Sequence, residues 1–366
     1  MKSKVLFILH WPPPVHGSSV VGLQIKESKI INENFDCCYI NLGTSISIDE
    51  IGKNSLIKFF RHLTIIWKVL RNLVSNRPAL CYFAITAKGN AFYKDALVVL
   101  LVKIFRVKLV YHFHNKGVST RQNRFIDNLL YGFVFKNTDV ILLSKYLYTD
   151  IQSFIPEKKV HICPNGISKL DKPPMTLDKK QNQIVNILFL SNLIESKGVF
   201  VLLAACSILL QKGITFKCDF VGGEGDINAD QFQTKVRLLR LTNHVRYFGL
   251  KYGEEKNRAF CEADIFALPT SEDCFPLVLL EAMQNGLPIV STFEGGIKDI
   301  VEDNVTGYLV QQKNVQSLAA KLELLIQNSE LRINMGKAGR LKYEQEFTLI
   351  KFENRLMEIL NQLVSK

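Results

Sequence analysis

Three carboxylates surround one apolar run in the segment 271–285, SEDCFPLVLLEAMQN. Glu272 and Asp273 precede the run, Glu281 lies inside it, and Pro276 suits a first helical turn. The positive N-terminal end of a helix attracts acids, so capping is a sufficient account of the first two carboxylates. Glu281 has apolar neighbours on both sides, and burying its charge is costly unless hydroxyl or amide groups hold it. A salt bridge is one explanation, and a ligand rich in hydroxyl groups is the one we favour.

A lysine and an asparagine lie in the loop 191–198, SNLIESKG, which follows a strand pattern and precedes a helical one. Helix N-termini at such loops bind phosphate groups, and Lys197 would place a positive charge there. Asn192 could donate a hydrogen bond there, although it carries no charge. A solvated surface lysine is the commoner fate of this residue type and remains the alternative.

The first half of the chain offers two histidines and a glycine. His16 and Gly17 lie in HWPPPVHGSS after the first strand pattern, and His114 follows the strand pattern VKLVYHF. Glycine has no Cβ, so Gly17 would let the backbone approach a ligand closely, with an ordinary loop glycine as the alternative. A single histidine is structural by default, and His112, inside the strand pattern, is the better candidate for that role than His114.

Apolar runs of strand length alternate with helical patterns, which predicts the α/β class with parallel sheets covered by helices. Strands are predicted at 4–9, 36–42, 79–85, 107–113, 139–143 and 160–163, and then at 185–190, 216–221, 244–249, 265–268, 287–291 and 307–310. The polar stretch between the two series predicts a linker at 169–183, between an N-terminal domain at 1–168 and a C-terminal domain at 184–348. A helix at about 349–366 is expected to pack back on the first domain. Such sheets bind ligands at the carboxyl ends of their strands, so two doubly wound, Rossmann-like domains facing each other would form one cleft.

Composition excludes several classes of protein. A chain of 366 residues with 47% hydrophobic residues is globular, and its length is typical of two domains. Its eight cysteines show no CxxC pair and no zinc spacing, which favours reduced thiols. The first residues are interpreted as a strand rather than a signal peptide, and the longest apolar run is too short to span a bilayer. We therefore expect a cytosolic protein.

Positive charge is concentrated in the first half. Residues 1–175 hold 24 Lys and Arg against 11 Asp and Glu, a net charge of +13, whereas residues 176–366 hold 22 against 23. Such a half can bind polyphosphate, nucleic acid or anionic lipid. Nucleic acid is the weakest of these, because no stacking platform or helix-turn-helix pattern occurs.

A basic amphipathic helix is predicted at 55–74. Its apolar stripe comprises Leu56, Phe59, Phe60, Leu63, Ile66, Trp67, Leu70 and Val74, with Lys58, Arg61, Lys68 and Arg71 away from the centre. Such a helix can lie on an anionic membrane. The alternative is a helix that docks on its own sheet and has a solvated charged face.

Taken together, these motifs resemble the retaining nucleotide-sugar glycosyltransferases of the family 4 type, which have the GT-B fold of two Rossmann-like domains. The resemblance covers nearly the whole chain and is most similar to members that build bacterial capsular or O-antigen polysaccharide. It rests on PPPVHGSS at 12–19, HFHN at 112–115, VHICPNGI at 160–167, ILFLSNLIESKG at 187–198, VGGEGD at 221–226, the two acids eight residues apart, and TFEGGIKDIVEDNVTGYLV at 292–310.

The resemblance implies a role for each candidate residue. Glu281 would accept hydrogen bonds from the ribose, and Asp273 would hold hydroxyls of the donor sugar. The diphosphate would face Lys197, Asn192, Gly17 and the amides of Phe275, Leu277 and Val278. His114 would lie at the reacting centre, with Asp273 and Lys197 as the other catalytic residues. His16 and Glu272 are secondary candidates, for the acceptor and for the sugar contact.

Two positions depart from the family pattern. The first acid is commonly Glu where this chain has Asp273, and relatives often carry Arg where it has Asn192. Arg246, or a lysine of the basic half, could supply the charge that Asn192 lacks. The resemblance implies neither a metal nor a cofactor, and the sequence has no Asp-x-Asp pair of the kind that holds a divalent ion in the other common transferase fold.

The predicted function is retaining transfer of a sugar from a nucleotide-sugar donor to a hydroxyl of a growing, lipid-linked surface glycan. The expected partners are that donor, the glycan acceptor and an anionic membrane, which the basic first domain would contact at the inner face of the cytoplasmic membrane. A GT-B relative of other chemistry, such as a nucleotide-sugar epimerase, is one alternative. A non-catalytic sugar-nucleotide binding protein is the other.

Overall fold

The computed structural model describes residues 2–43, 56–170 and 184–365, with side chains from residue 60 onward in the second range. These residues form two compact units, Met1–Asn165 with Ile350–Lys366, and Gly166–Leu349. Of the predicted linker at 169–183, residues 171–183 lie outside the described part of the chain.

The first unit contains a six-stranded parallel sheet in the order β2-β1-β3-β4-β5-β6. Its strands are β1 (Lys4–Leu9), β2 (Asp36–Asn41), β3 (Leu80–Phe83), β4 (Lys108–Phe113), β5 (Asp139–Leu142) and β6 (Val160–Ile162). After the first residue, β1 is buried throughout, because its apolar side chains contact helices on both faces of the sheet. The strand order reverses between β1 and β3, and such a switch point is where doubly wound sheets bind ligands.

Five helices of this unit follow its strands. They are α1 (Gly17–Glu27), α2 (Lys29–Asn34), α3 (Leu56–Asn76), α4 (Gly89–Ile104) and α5 (Phe125–Phe135). Parallel strands are joined by right-handed crossovers, so this strand order places α3, α4 and α5 on one face of the sheet and α1 and α2 on the other.

The second unit has a six-stranded parallel sheet in the order β12-β11-β10-β7-β8-β9. Its strands are β7 (Val185–Leu190), β8 (Phe216–Val221), β9 (Val245–Tyr247), β10 (Ile265–Leu268), β11 (Ile289–Thr292) and β12 (Gly307–Val310). Its helices are α6 (Val199–Gln211), α7 (Ala229–Leu238), α8 (Gly253–Glu262), α9 (Leu277–Gln284), α10 (Ile297–Ile300), α11 (Val315–Gln327) and α12 (Ser329–Glu346). This is the strand order of the dinucleotide-binding Rossmann sheet, with its switch point between β7 and β10.

The predicted α/β class with two parallel sheets is confirmed, and each of the twelve predicted strand segments overlaps a strand. Nine of the twelve are mostly buried runs of four to six residues, because both faces of each sheet are covered there, whereas the outer strands β2, β6 and β9 are only partly buried. The last helix, α13 (Leu349–Ser365), lies almost wholly in the first unit, where Lys108 Nζ donates to the carbonyl of Leu363 at 2.7 Å. All eight cysteines carry free thiols.

The buried face of α3 differs from the predicted stripe. His62, Ile65, Val69 and Leu73 are buried, whereas Phe60, Leu63, Trp67 and Val74 of the stripe are exposed. The alternative, a helix docked on its own sheet with a solvated charged face, is confirmed, because α3 packs against β2 and α4 and leaves Lys68 and Arg71 exposed. Helix α3 therefore has two apolar faces, and the sequence alone does not show which of them packs on the sheet.

Candidate functional site

The candidate site of the second unit lies at the carboxyl edge of its sheet, beside the switch point. The loop after β7 contains Lys197, and the loop after the neighbouring strand β10 contains Asp273. Lys197 Nζ lies 2.6 Å from Asp273 Oδ2 and donates to the Glu272 carbonyl at 3.1 Å. The side chains are 24% and 16% exposed, so the pair is accessible from one side. The structure thus brings together two predicted residues that are 76 positions apart in sequence.

Backbone contacts fix these two loops against each other. The carbonyl of Ser196, next to Lys197, accepts the Ser271 amide at 2.7 Å and the Thr270 hydroxyl at 3.1 Å. A Cβ at Gly198 would lie 2.2 Å from the Pro269 carbonyl oxygen, and the φ of Gly198 is +87°. Only glycine fits at this position without strain, because it tolerates both the left-handed backbone and the close approach.

A third loop, after β11, holds the backbone of Asp273 in place through a hydrogen bond. The Glu294 carboxylate accepts the Asp273 amide at 3.2 Å and Gln312 Nε2 at 2.6 Å, and Glu294 is itself buried. Gly295 has a φ of +48°, and a Cβ there would lie 2.4 Å from the Asp273 carbonyl oxygen. Glu294 and Gln312 therefore position Asp273 through its backbone, an arrangement that sequence spacing does not reveal.

Helix α9 begins later than expected. Pro276 takes the capping position before the helix instead of the first turn, and no side chain caps this helix. Capping was therefore the wrong account of Asp273, which pairs with Lys197 and accepts the Cys274 amide at 2.9 Å. The amides of Leu277 and Val278 are the first two of the helix, which have no partner within the helix. Phe275 is buried against Phe347, with ring centroids 5.9 Å apart.

Glu281 is not buried, contrary to the interpretation made from its apolar neighbours. Its side chain is 26% exposed, and Oε1 lies 2.6 Å from Nζ of Lys256 on α8. The salt bridge that was the alternative explanation is therefore present. Sequence reasoning missed Lys256, because nothing in the pattern of α8 indicates which side chain reaches α9.

Asn192 is tied to the neighbouring loop by its carbonyl oxygen. Oδ1 accepts the Gly223 amide at 3.0 Å, and the Gly223 carbonyl accepts the Leu193 amide at 2.8 Å. A Cβ at Gly222 would lie 1.9 Å from the Ser191 carbonyl oxygen, so close packing of the two loops requires this glycine. Arg246 does not supply additional charge, because it makes two 2.8 Å hydrogen bonds to Asp219. The idea that Arg246 compensates for Asn192 is wrong.

Histidines gather at the carboxyl edge of the first unit. His16 caps α1, where its Nδ1 accepts the Ser19 amide at 3.3 Å while the Ser19 hydroxyl accepts the His16 amide at 2.9 Å. The ring of His10, which directly follows β1, lies 6.1 Å from that of His16. Sequence reasoning missed His10, although its position after a strand is the same signal that identified His114.

Burial keeps this histidine cluster neutral. It lowers the pKa of His10 to about 4, with a smaller effect of the charge on His16. It lowers the pKa of His114 to about 3, with smaller effects of His10 and His16, and burial also lowers the pKa of His16. His112 hydrogen-bonds the hydroxyl of Tyr82 inside the sheet, which fits its structural role. His114 Nδ1 is buried and has no hydrogen-bond partner among the described residues.

Gly17, the first residue of α1, has open space around it. A Cβ there would meet nothing within 4 Å, and its backbone is not left-handed. No packing contact of the described chain therefore requires glycine at position 17.

The described residues show no metal site. They contain no group of three or more His, Cys, Asp or Glu side chains that could hold a metal ion.

Relatives were found for both sequence and fold. Residues 174–342 match the family described as Glycosyl transferases group 1. The chain is 33% identical over 72% of its length to the amylovoran biosynthesis glycosyltransferase AmsK of Erwinia amylovora, and it covers 66% of that protein. It is 31% identical over 72% of its length to an uncharacterized glycosyltransferase of Haemophilus influenzae, of which it covers 76%.

A solved structure shows the same fold. Anabaena HepE in complex with UDP-glucose superposes with a TM-score of 0.75 at 19% identity, over 98% of this chain and 99% of that one. This likeness supports the GT-B assignment. The first curated relatives extend beyond the matched region, since the chain spans 66% of their length. By its sequence, the chain belongs to the group 1 glycosyltransferases.

Proposed function

We propose that this protein is a retaining, metal-independent glycosyltransferase that moves a sugar from a nucleotide-sugar donor to a hydroxyl of a growing, lipid-linked surface polysaccharide. The observation that carries the proposal is the Lys197–Asp273 pair, which lies at the switch point of the second sheet. Relatives named for amylovoran, colanic acid and capsular polysaccharide biosynthesis support the polysaccharide product. A UDP-glucose complex of a protein with this fold supports the class of donor.

The donor diphosphate would bind beside Lys197 and the first amides of α9. A lysine point charge and a helix N-terminus both attract phosphate, and both stabilise the charge that develops on the leaving group. Asp273 would then exchange part of its bond to Lys197 for hydroxyls of the donor sugar. We propose that the Glu281 carboxylate accepts the ribose hydroxyls while Lys256 holds it in position.

The reaction would follow a front-face course. The bond from the anomeric carbon to the leaving phosphate breaks while the acceptor oxygen bonds to the same face of that carbon. The proton of the acceptor hydroxyl passes to the leaving phosphate oxygen, so the reaction needs no additional base. Two roles remain predictions from the family resemblance. His114 would contact the donor sugar, and Asn192 would donate a hydrogen bond to the phosphate.

Two substitutions test this assignment. Lys197→Ala and Glu281→Gln should each abolish acceptor-dependent release of free nucleotide from a panel of UDP and GDP sugars, without loss of the folded state. Lys251→Ala is the matched control, because among the described residues Lys251 forms its ion pair with Glu255, one turn away on the surface of the same unit. Near-normal turnover by Lys197→Ala would show that the phosphate assignment is wrong. An epimerase would convert the donor sugar without releasing nucleotide, and a non-catalytic binder would leave the donor unchanged.

We also propose that the first unit binds the anionic surface at the inner face of the cytoplasmic membrane. No helix among the described residues has the length and hydrophobicity needed to cross a bilayer. The supporting observation is the outer face of α3, where Phe60 is 65% and Trp67 60% exposed beside the exposed cations Lys68 and Arg71. Apolar side chains with flanking cations favour the interface of an anionic bilayer.

Trp67 reports on this contact directly. The chain has two tryptophans, and Trp67→Phe leaves Trp11 as the only one. Vesicles that contain phosphatidylglycerol should shift the fluorescence emission of the wild type to shorter wavelengths and leave Trp67→Phe unchanged. An equal shift in both proteins would place the contact elsewhere.

A further inference from the structure

A groove lies at the amino edge of the first sheet, opposite the edge that carries the histidines. One part of it encloses about 400 Å³ at the C-terminal ends of α4 and α5. Its continuation encloses about 500 Å³ between the C-terminal ends of α3 and α4. Arg106, Val107 and Lys108 line both parts, so the two parts form one continuous groove.

Five cations line this groove. They are Arg77, Lys103, Arg106, Lys108 and Lys136, and no described residue of the lining is acidic. Two of them are engaged: Lys103 donates to the carbonyls of Phe133 and Lys136, and Lys108 donates to that of Leu363. Burial, with a smaller effect of Lys136, lowers the pKa of Lys103 to about 8. The remaining three cations have exposed side chains, and no described carboxylate pairs with them.

Some of these cations neutralise the negative C-terminal ends of the helices, but this role explains only part of the positive charge in the groove. Cations near a helix C-terminus are stabilised by its dipole, and Lys103 satisfies two terminal carbonyls of α5 in that way. Arg77 and Arg106 follow the ends of α3 and α4 with φ values of 46° and 54°. Glycine is the usual residue at a left-handed helix end, because a Cβ is strained there. Arg240 follows α7 with a φ of 57° and lies outside the groove, so the assignment of Arg77 and Arg106 depends on their place in the groove lining.

Exposed apolar side chains border the same groove. Val74 is 57% exposed and lies in its lining, as do Phe105 and Phe133 at 39% and 37%. Ile104, the last residue of α4, is 63% exposed. Cations in a recess with apolar groups at its border match a phosphate group attached to acyl chains, whereas a soluble phosphate needs no apolar border.

We propose that this groove binds the phosphate headgroup of an anionic membrane lipid, with Arg77, Arg106 and Lys136 as its ligands. The proposal rests on the membrane contact inferred above and adds its specific site, but it is independent of the glycosyl-transfer assignment. The groove and the outer faces of α3, α4 and α5 would then contact the same bilayer.

Cosedimentation with vesicles tests the proposal on the full chain. The wild type should bind vesicles of phosphatidylcholine mixed with phosphatidylglycerol and should not bind phosphatidylcholine alone. The double variant Arg77→Gln/Arg106→Gln should bind the anionic vesicles about 25-fold more weakly, since each cation at such a surface contributes roughly 5-fold. The control Lys29→Gln/Lys351→Gln removes the same charge from exposed positions on α2 and α13 and should retain most of the affinity.

A second variant separates binding from folding. Arg77→Gly/Arg106→Gly removes the same charges and relieves the left-handed strain, so its Tm should be equal to or higher than that of the wild type, while vesicle binding is lost. Equal losses in the groove variant and in the control would overturn the proposal in favour of diffuse charge. If both arginine variants bind the anionic vesicles as tightly as the wild type does, the lipid binds elsewhere and the proposal is wrong. Protection from thermal unfolding by inorganic phosphate, without vesicle binding, would instead identify a soluble anion site.

Discussion

Two glycines near His16 predict opposite effects of the same substitution. A Cβ at Gly17 would meet nothing within 4 Å, whereas a Cβ at Gly22 would lie 1.9 Å from the His10 carbonyl oxygen. Gly22 lets α1 pack against the end of β1, so Gly22→Ala must move the helix or the loop that carries His10. Overpacking of this kind costs about 1–3 kcal/mol of unfolding free energy. Gly17→Ala should leave stability unchanged or raise it by up to about 1 kcal/mol, since alanine favours helix.

If a ligand approaches the Gly17 backbone, Gly17→Ala should lose activity although it keeps its stability. A methyl group in that space would displace the ligand at about 1–3 kcal/mol, equivalent to roughly 5- to 150-fold in kcat/KM. Urea denaturation measures the first quantity, and initial rates of acceptor-dependent nucleotide release measure the second. Wild-type kinetics in Gly17→Ala would refute the close approach of a ligand. Wild-type stability in Gly22→Ala would refute the packing of α1 on β1.

Three further predictions concern ionisable groups. Lys256→Met should raise the donor KM without a matching fall in kcat, because an unoriented Glu281 loses binding in ground and transition states alike; a fall in kcat alone would contradict this. Burial raises the pKa of Asp95 from 3.8 to about 7 while its carboxylate accepts the Thr86 amide. The folded state therefore binds the extra proton, and wild-type stability relative to Asp95→Asn should fall as pH rises from about 4 to 7. The pKa of His10 is lowered from 6.5 to about 4, so the unfolded state binds the proton between these values. Stability relative to His10→Gln should thus fall as pH drops from 6.5 to 4, and denaturation midpoints across this range test both signs.

Local patterns were enough to predict the sheets and several members of the candidate site. Strands buried on both faces appear as continuous apolar runs, which located the inner strands of both sheets from sequence. Residues that follow such strands lie at one edge of a parallel sheet, and the family resemblance implied that Lys197 and Asp273 in these loops bind one donor. The same rule applied to His10 would have identified it.

Tertiary structure decided the features that depend on contacts between distant segments. Lys256 reaches Glu281 from another helix, and Glu294 supports Asp273 from a third loop, but no periodicity records either contact. The exposed stripe of α3 was distinguished from its buried face only by packing, since both faces are apolar. Composition revealed the positive charge of the first half, but only the fold brings Arg77, Arg106 and Lys136 to one groove. Hydrophobic periodicity is a local property of the chain, whereas ion pairs and grooves depend on how distant segments meet in three dimensions.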